Sequence, residues 1–198
     1  PGTLADTDIS LMADRYVIIY VGGLEFSRGI DQVVRSMVKV VDKVPESLFM
    51  IIGEGNSKEF IKDLAISLGI SQNVVLRGWV DFQNIPAFLN YASVGIIPHY
   101  VTNHTNYTIP NKIFDYMYYG LPVVASECKP MARIINDADC GFVFSDTEHL
   151  SRILITLKDA AMRKRQSENG RKAVAGRYNW ECDSEGLDRV IQHVKRNK

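Results

Sequence analysis

The chain has 198 residues, 46% of them hydrophobic and 23% charged, which is enough apolar material for one full core. Lysine plus arginine equals aspartate plus glutamate at 23 each, so no overall field draws the chain to nucleic acid or to a membrane surface; any anion site must be local. No apolar run approaches bilayer length, and the three cysteines, Cys128, Cys140 and Cys182, contain no Cys-x-x-Cys pair, which argues against a disulfide framework and fits a cytoplasmic location.

Pro1 to Arg15 has weak periodicity and reads as a linker or the cut end of something upstream, leaving residues 16–198 as one domain. Tyr16 to Val21 is a β-branched and aromatic run that stops at Gly22-Gly23; a polar loop through Arg28-Gly29 and a helical pattern over Asp31 to Val41 follow. The unit recurs: Leu48 to Ile52 is a buried type of strand, Gly53-Glu54-Gly55 ends it, and Phe60, Ile61, Leu64, Ala65 and Leu68 mark a helix up to Gly69. Val74 to Leu76 makes a third strand that runs into Trp79-Val80, with a short helix near Ile85 to Tyr91. Val94 to Pro98 makes a fourth, leading into a polar loop from His99 to Thr108. The strand Leu121 to Ala125, a helix around Met131 to Ile135, and a last strand at Cys140 to Phe144 precede three tail helices over Leu150 to Ala161, Arg163 to Ala175 and Glu181 to Val194. About six apolar strands alternating with helices call for a parallel sheet covered on both faces, a doubly wound α/β domain of Rossmann-like type with a helical tail.

In such sheets ligands bind where the strands end, so the loops at Gly22, Gly53 and Trp79 should converge with the segment Thr108 to Tyr119. There Pro110 suits the first turn of a helix and Gly120 its stop. Ile113, Phe114 and Met117 share one side of that helix, while Asn111 and Asp115 lie one turn apart on another. A helix start with Lys112 beside it favours a phosphate group, Arg28 is a second cation at the same edge, and Asp115 could accept two hydrogen bonds from a diol such as ribose. Trp79 is either a base-stacking side chain or a core residue. His99, His104, His149 and His193 read as surface or loop residues, and with no Asp-x-Asp pair or His/Asp cluster no metal is expected.

The chain resembles the C-terminal, donor-binding half of a group 1 retaining glycosyltransferase of the two-lobed GT-B architecture. The resemblance runs from Tyr16 to about Lys195. It is carried by Tyr20-Val21-Gly22-Gly23 with Arg28-Gly29-Ile30-Asp31, by Ile51-Ile52-Gly53-Glu54-Gly55, by Asn73 to Val80, and above all by Pro110-Asn111-Lys112-Ile113-Phe114-Asp115-Tyr116-Met117 before Gly120-Leu121-Pro122-Val123-Val124-Ala125. It implies that the substrate is a nucleotide-sugar, with UDP weakly favoured, whose diphosphate is held by Gly22, Gly23, Arg28, Asn111 and Lys112. It also implies that Asp115 holds the ribose and that the backbone at Trp79-Val80 meets the base. Arg28 and Lys112 would stabilise the leaving group. The chain departs from the family pattern at Gly23, where an arginine is common, and at Tyr107, where the first acid of a Glu-x7-Glu pair usually sits. The implied partner is an N-terminal acceptor lobe of the same polypeptide, through which peripheral association with the inner face of the cytoplasmic membrane could arise. This half alone would bind nucleotide without turnover. The rival readings are the corresponding lobe of a nucleotide-sugar epimerase and a stand-alone α/β nucleotide-binding regulatory module; a second Rossmann-like lobe upstream would separate the enzymes from the module.

Overall fold

The computed structural model describes residues 6–196. Six strands, β1 (Tyr16–Val21), β2 (Ser47–Ile52), β3 (Val74–Gly78), β4 (Val94–Ile97), β5 (Val123–Ser126) and β6 (Gly141–Phe144), form one sheet in the order β3-β2-β1-β4-β5-β6. All five pairings are parallel. Chain direction across the sheet reverses between β1 and β4, and this reversal opens a crevice at the carboxyl ends of those two strands.

Alternation along β1 shows why both faces are covered. Ile18 and Tyr20 join a core with Val33, Val34 and Met37 of α2 (Ile30–Lys43), Ile61 of α3 (Lys58–Ser67) and Leu150 and Leu154 of α7 (Thr147–Thr156). Val17 and Ile19 point the other way, to Phe88 of α4 (Ile85–Tyr91), Ile113 and Met117 of α5 (Lys112–Tyr118) and Ile134 of α6 (Lys129–Ala138). Strands with no polar face are the natural outcome of this sandwiching. The helices α8 (Ala160–Gly176) and α9 (Trp180–Arg196) complete the chain.

Three expectations change in detail. The expected linker is helical at α1 (Asp6–Met12), which docks through a buried Met12 and an ion pair from Asp8 to Arg77 of β3, 2.7 Å long; residues 1–5 of that stretch lie outside the described residues. The helix expected from Pro110 begins at Lys112, with Pro110 and Asn111 forming the turn ahead of it, where their carbonyls accept from the N–H groups of Ile113 and Phe114. The first tail helix stops at Thr156, because the Asp159 carboxylate caps a new helix by accepting from the N–H groups of Ala161 and Met162. Among the described residues no helix is long and apolar enough to cross a membrane.

Tyr116 ties the core to the end of β1. Its ring is buried and its hydroxyl accepts from the N–H of Val21 at 3.1 Å. The ring packs against Gly95 of β4, where an added Cβ would come within 2.4 Å of it. Gly95→Ala should therefore displace Tyr116 and cost about 1–3 kcal/mol, as overpacking of a dense core does, measurable as a lower urea midpoint with an unchanged slope.

Candidate functional site

Two glycines explain how the crevice between β1 and β4 is built. Gly29, at φ 63°, lies so close to β4 that a Cβ would sit 2.1 Å from the Pro98 carbonyl oxygen, and Gln32 Nε2 donates to the same oxygen at 3.0 Å. This contact seats Arg28, at the end of a short 3-10 turn, over the end of β4. Gly22, at φ 146°, continues β1 by donating its N–H to Ile52 O at 2.9 Å, and its Cβ position would be 2.5 Å from Lys112 Nζ. A side chain at position 22 would force the lysine ammonium to shift, and the backbone there favours glycine. Lys112 is held from below as well, its ammonium 4.0 Å from the ring centroid of the buried Tyr20, whose hydroxyl donates to Gly23 O at 2.8 Å.

The result is a cleft of about 370 Å³ lined by Gly22, Gly23, Arg28, His99, His104, Thr108, Ile109, Pro110 and Lys112. No carboxylate lines it. Burial lowers the Lys112 ammonium to a pKa of about 7, the nearby Arg28 charge pushes in the same direction, and Asp115 opposes both. A second cleft of about 250 Å³ adjoins it and shares Gly22 and Gly23; its other walls are Val21, Ile52, Gly53, Glu54, Trp79, Val80, Phe82 and Ile85. Trp79 and Phe82 are exposed, at 66% and 84% of their surface, whereas Val80 is buried beneath them. A cationic basin and an aromatic slot thus meet at one glycine pair, a shape that matches an anion joined to a flat ring.

The expected site residues fall mostly within these walls. Gly22, Gly23, Arg28, Pro110 and Lys112 line the cationic cleft, and Gly22, Gly23, Gly53, Trp79 and Val80 line the apolar one. Asn111 and Asp115 line neither; both are exposed, Asn111 in the turn leading into α5 and Asp115 in the first turn of that helix. Burial raises the pKa of Asp115, and Lys112 partly offsets this. Trp79 resolves as a surface aromatic rather than a core residue.

His99 overturns its expectation. It is 3% exposed and belongs to the cleft wall, and its backbone carbonyl accepts from the Ser126 hydroxyl and, at 3.8 Å, from the Cys128 thiol. Burial, with Lys112, Arg28 and His104 adding to it, lowers its pKa to about 3. Its position directly after Pro98, at the mouth of the strand where the sheet reverses, is the signal by which it could have been found. The loop that follows is pinned: Thr105 Oγ1 donates to Tyr100 O at 2.8 Å, and the Tyr100 hydroxyl donates to Asp31 at 2.8 Å.

Residues 6–173 match the model of the family described as glycosyl transferases group 1. The chain belongs to that family. It is 26% identical over 179 residues to a glycosyltransferase of Methanocaldococcus jannaschii, MJ1607, covering 87% of this chain and 44% of that protein. It is also 26% identical over 175 residues to the GDP-mannose-dependent monoacylated alpha-(1-6)-phosphatidylinositol monomannoside mannosyltransferase of Corynebacterium glutamicum, with 85% and 45% of the two chains covered. The crystal structure of Anabaena Alr3699/HepE in complex with UDP superposes with a TM-score of 0.80 at 15% identity, over 96% of this chain and 53% of that one, which shows a shared fold. Against both curated relatives this group 1 chain spans less than half of the partner's length.

A lysine held against its charge by burial costs stability. Because the folded pKa of Lys112 lies near 7 and the unfolded one near 10.5, the unfolded chain binds more protons between those values, so this group's penalty is fully present below pH 7 and fades as pH rises towards 10.5. Lys112→Met should raise the melting temperature by a few degrees at pH 6–7, with the difference narrowing at pH 9–10. Scanning calorimetry of both proteins across that range checks it.

Proposed function

We propose that this chain is the donor-binding half of a retaining glycosyltransferase, which transfers a sugar from a nucleoside diphosphate sugar to a glycan or lipid-linked acceptor. The observation that carries this reading is the junction of the two clefts at Gly22 and Gly23: the diphosphate takes the cleft with Arg28 and Lys112, and the base takes the slot under Trp79 and Phe82. Asn111 and Asp115 reach the diphosphate and the ribose, in keeping with the resemblance of the Pro110 to Met117 segment. UDP is the first donor base to try, supported by the UDP held in the HepE structure, while the mannosyltransferase relative makes GDP the second. The acceptor lies on a lobe not among these residues, as the coverage of the relatives suggests, so this half alone binds nucleotide and does not turn over.

The chemistry follows from the leaving group. Breaking the bond from the anomeric carbon to oxygen moves negative charge onto the β-phosphate. Arg28 and Lys112, fixed beside it in a partly desolvated cleft, interact more strongly with that charge than with the intact donor. Two cations in a cleft whose lining holds no carboxylate supply the neutralisation, so we expect turnover by the two-lobed protein to persist in EDTA.

Calorimetric titration with UDP, GDP and ADP tests the reading directly, and failure of all three to bind would remove it. Lys112→Ala should weaken binding of the preferred diphosphate by about 1.5–3 kcal/mol, the range for hydrogen bonds to charged groups, and unchanged affinity would take Lys112 out of the site. Affinity should fall between pH 7 and pH 9 as Lys112 loses its proton in the free protein. Trp79→Ala should cost about 1–3 kcal/mol through lost stacking on the base, read as weaker binding of uridine and UDP alike.

A further inference from the structure

His99 carries an unresolved problem of its own. Its Nε2 is fully buried and has no hydrogen-bond partner among the described residues, a rare condition for a polar atom and one that ordinarily points to a missing ligand or a functional role. The residue is not misplaced by a slack backbone. It follows β4 directly, its carbonyl is gripped by Ser126 and Cys128, and the preceding Pro98 is locked to Gln32. The imidazole therefore stands in the cleft wall by design of the surrounding fold, with Arg28 from the loop after β1, Lys112 from α5 and His104 from the adjoining loop as its charged or titratable neighbours.

We infer that His99 is a third ligand for the diphosphate of the donor, a neutral imidazole that donates its Nε2–H to a phosphate oxygen lying between Arg28 and Lys112. The inference rests on the reading of this cleft as the diphosphate site and assigns a contact which that reading leaves out. A phosphate oxygen offers only acceptor lone pairs, so of the two neutral tautomers the one protonated at Nε2 is selected. Protonation to imidazolium is opposed by burial and by two cations, which is why the residue acts as a neutral donor rather than as a third full charge. Nε2 is covered in this conformation, so the contact requires a local shift of the groups around it as the anion enters. Gly23 presents no side chain to the cleft, and a Cβ there would meet nothing within 4 Å, so the imidazole adds a side-chain donor from the β4 side of the basin.

The test compares wild type, His99→Leu and His99→Gln by calorimetric titration with UDP, GDP and uridine. His99→Leu should weaken the preferred diphosphate roughly tenfold or more, the size of one hydrogen bond to a charged acceptor, and leave uridine affinity alone; His99→Gln, which keeps an amide donor near Nε2, should restore most of the loss. Undiminished diphosphate affinity in a folded His99→Leu protein overturns the inference. So does an equal loss for uridine, which would mark a structural role. Should the leucine variant not fold, imidazole nitrogen resonances of the wild type decide: saturating diphosphate should give a neutral ring protonated at Nε2 with a shifted signal, and an unchanged spectrum overturns the assignment. Absence of any nucleotide binding by wild type would instead remove the diphosphate reading itself, which keeps the two failures apart.

Discussion

The site is governed by an electrostatic conflict that the fold leaves standing. Arg28, Lys112 and the imidazole of His99 share one cleft without a carboxylate in its lining; the two cations make His99 harder to protonate, and Arg28 adds to the burial that does the same to Lys112. Burying like charges together costs free energy unless something opposite arrives. On the proposed reading a diphosphate is that opposite charge: it would favour the protonated lysine, pair with the guanidinium and give the buried imidazole nitrogen an acceptor.

That conflict can exist only because the scaffold around it is rigid. The cations are not on mobile loops. Arg28 is fixed by the close pass of Gly29 against Pro98, and Lys112 by the bare backbone of Gly22 on one side and the Tyr20 ring on the other. Tyr116, packed on Gly95 and bonded to Val21, holds the end of β1 in place beneath them. Preorganisation of this kind matters for group transfer, because groups already in position need not be rearranged as charge develops on the leaving oxygen.

The two clefts divide recognition between different forces. The cationic one offers charge and hydrogen-bond donors; the other offers an apolar wall with exposed Trp79 and Phe82. Asp115 lies outside both linings, its acidity weakened by desolvation and partly restored by Lys112. Sharing Gly22 and Gly23 keeps the two subsites within the span of a single small molecule.

Much of this was legible in the residues. Apolar strands alternating with helices fix a two-faced parallel sheet because strands such as Tyr16–Val21 have no polar side to show to water, and glycines after β1 and β2 marked the ligand-bearing edge. Arg28 and Lys112 could be proposed as anion ligands from their charges beside glycine turns, and the fold brings both into the wall of one cleft. Only the tertiary structure could decide how deep each group sits. His99 looked like one more loop histidine, Trp79 could be read as base-stacking or as core, and residues 6–12 fell in a stretch read as a linker or cut end, since exposure depends on what other segments cover them. The burial of His99 depends on the return of β5 with Ser126, the exposure of Trp79 on a slot left open beside Phe82, and the docking of α1 on Arg77 in a strand about seventy positions away. Local pattern determined the elements and the edge where they open; long-range packing determined which side chains there are charged, buried or free to meet a ligand.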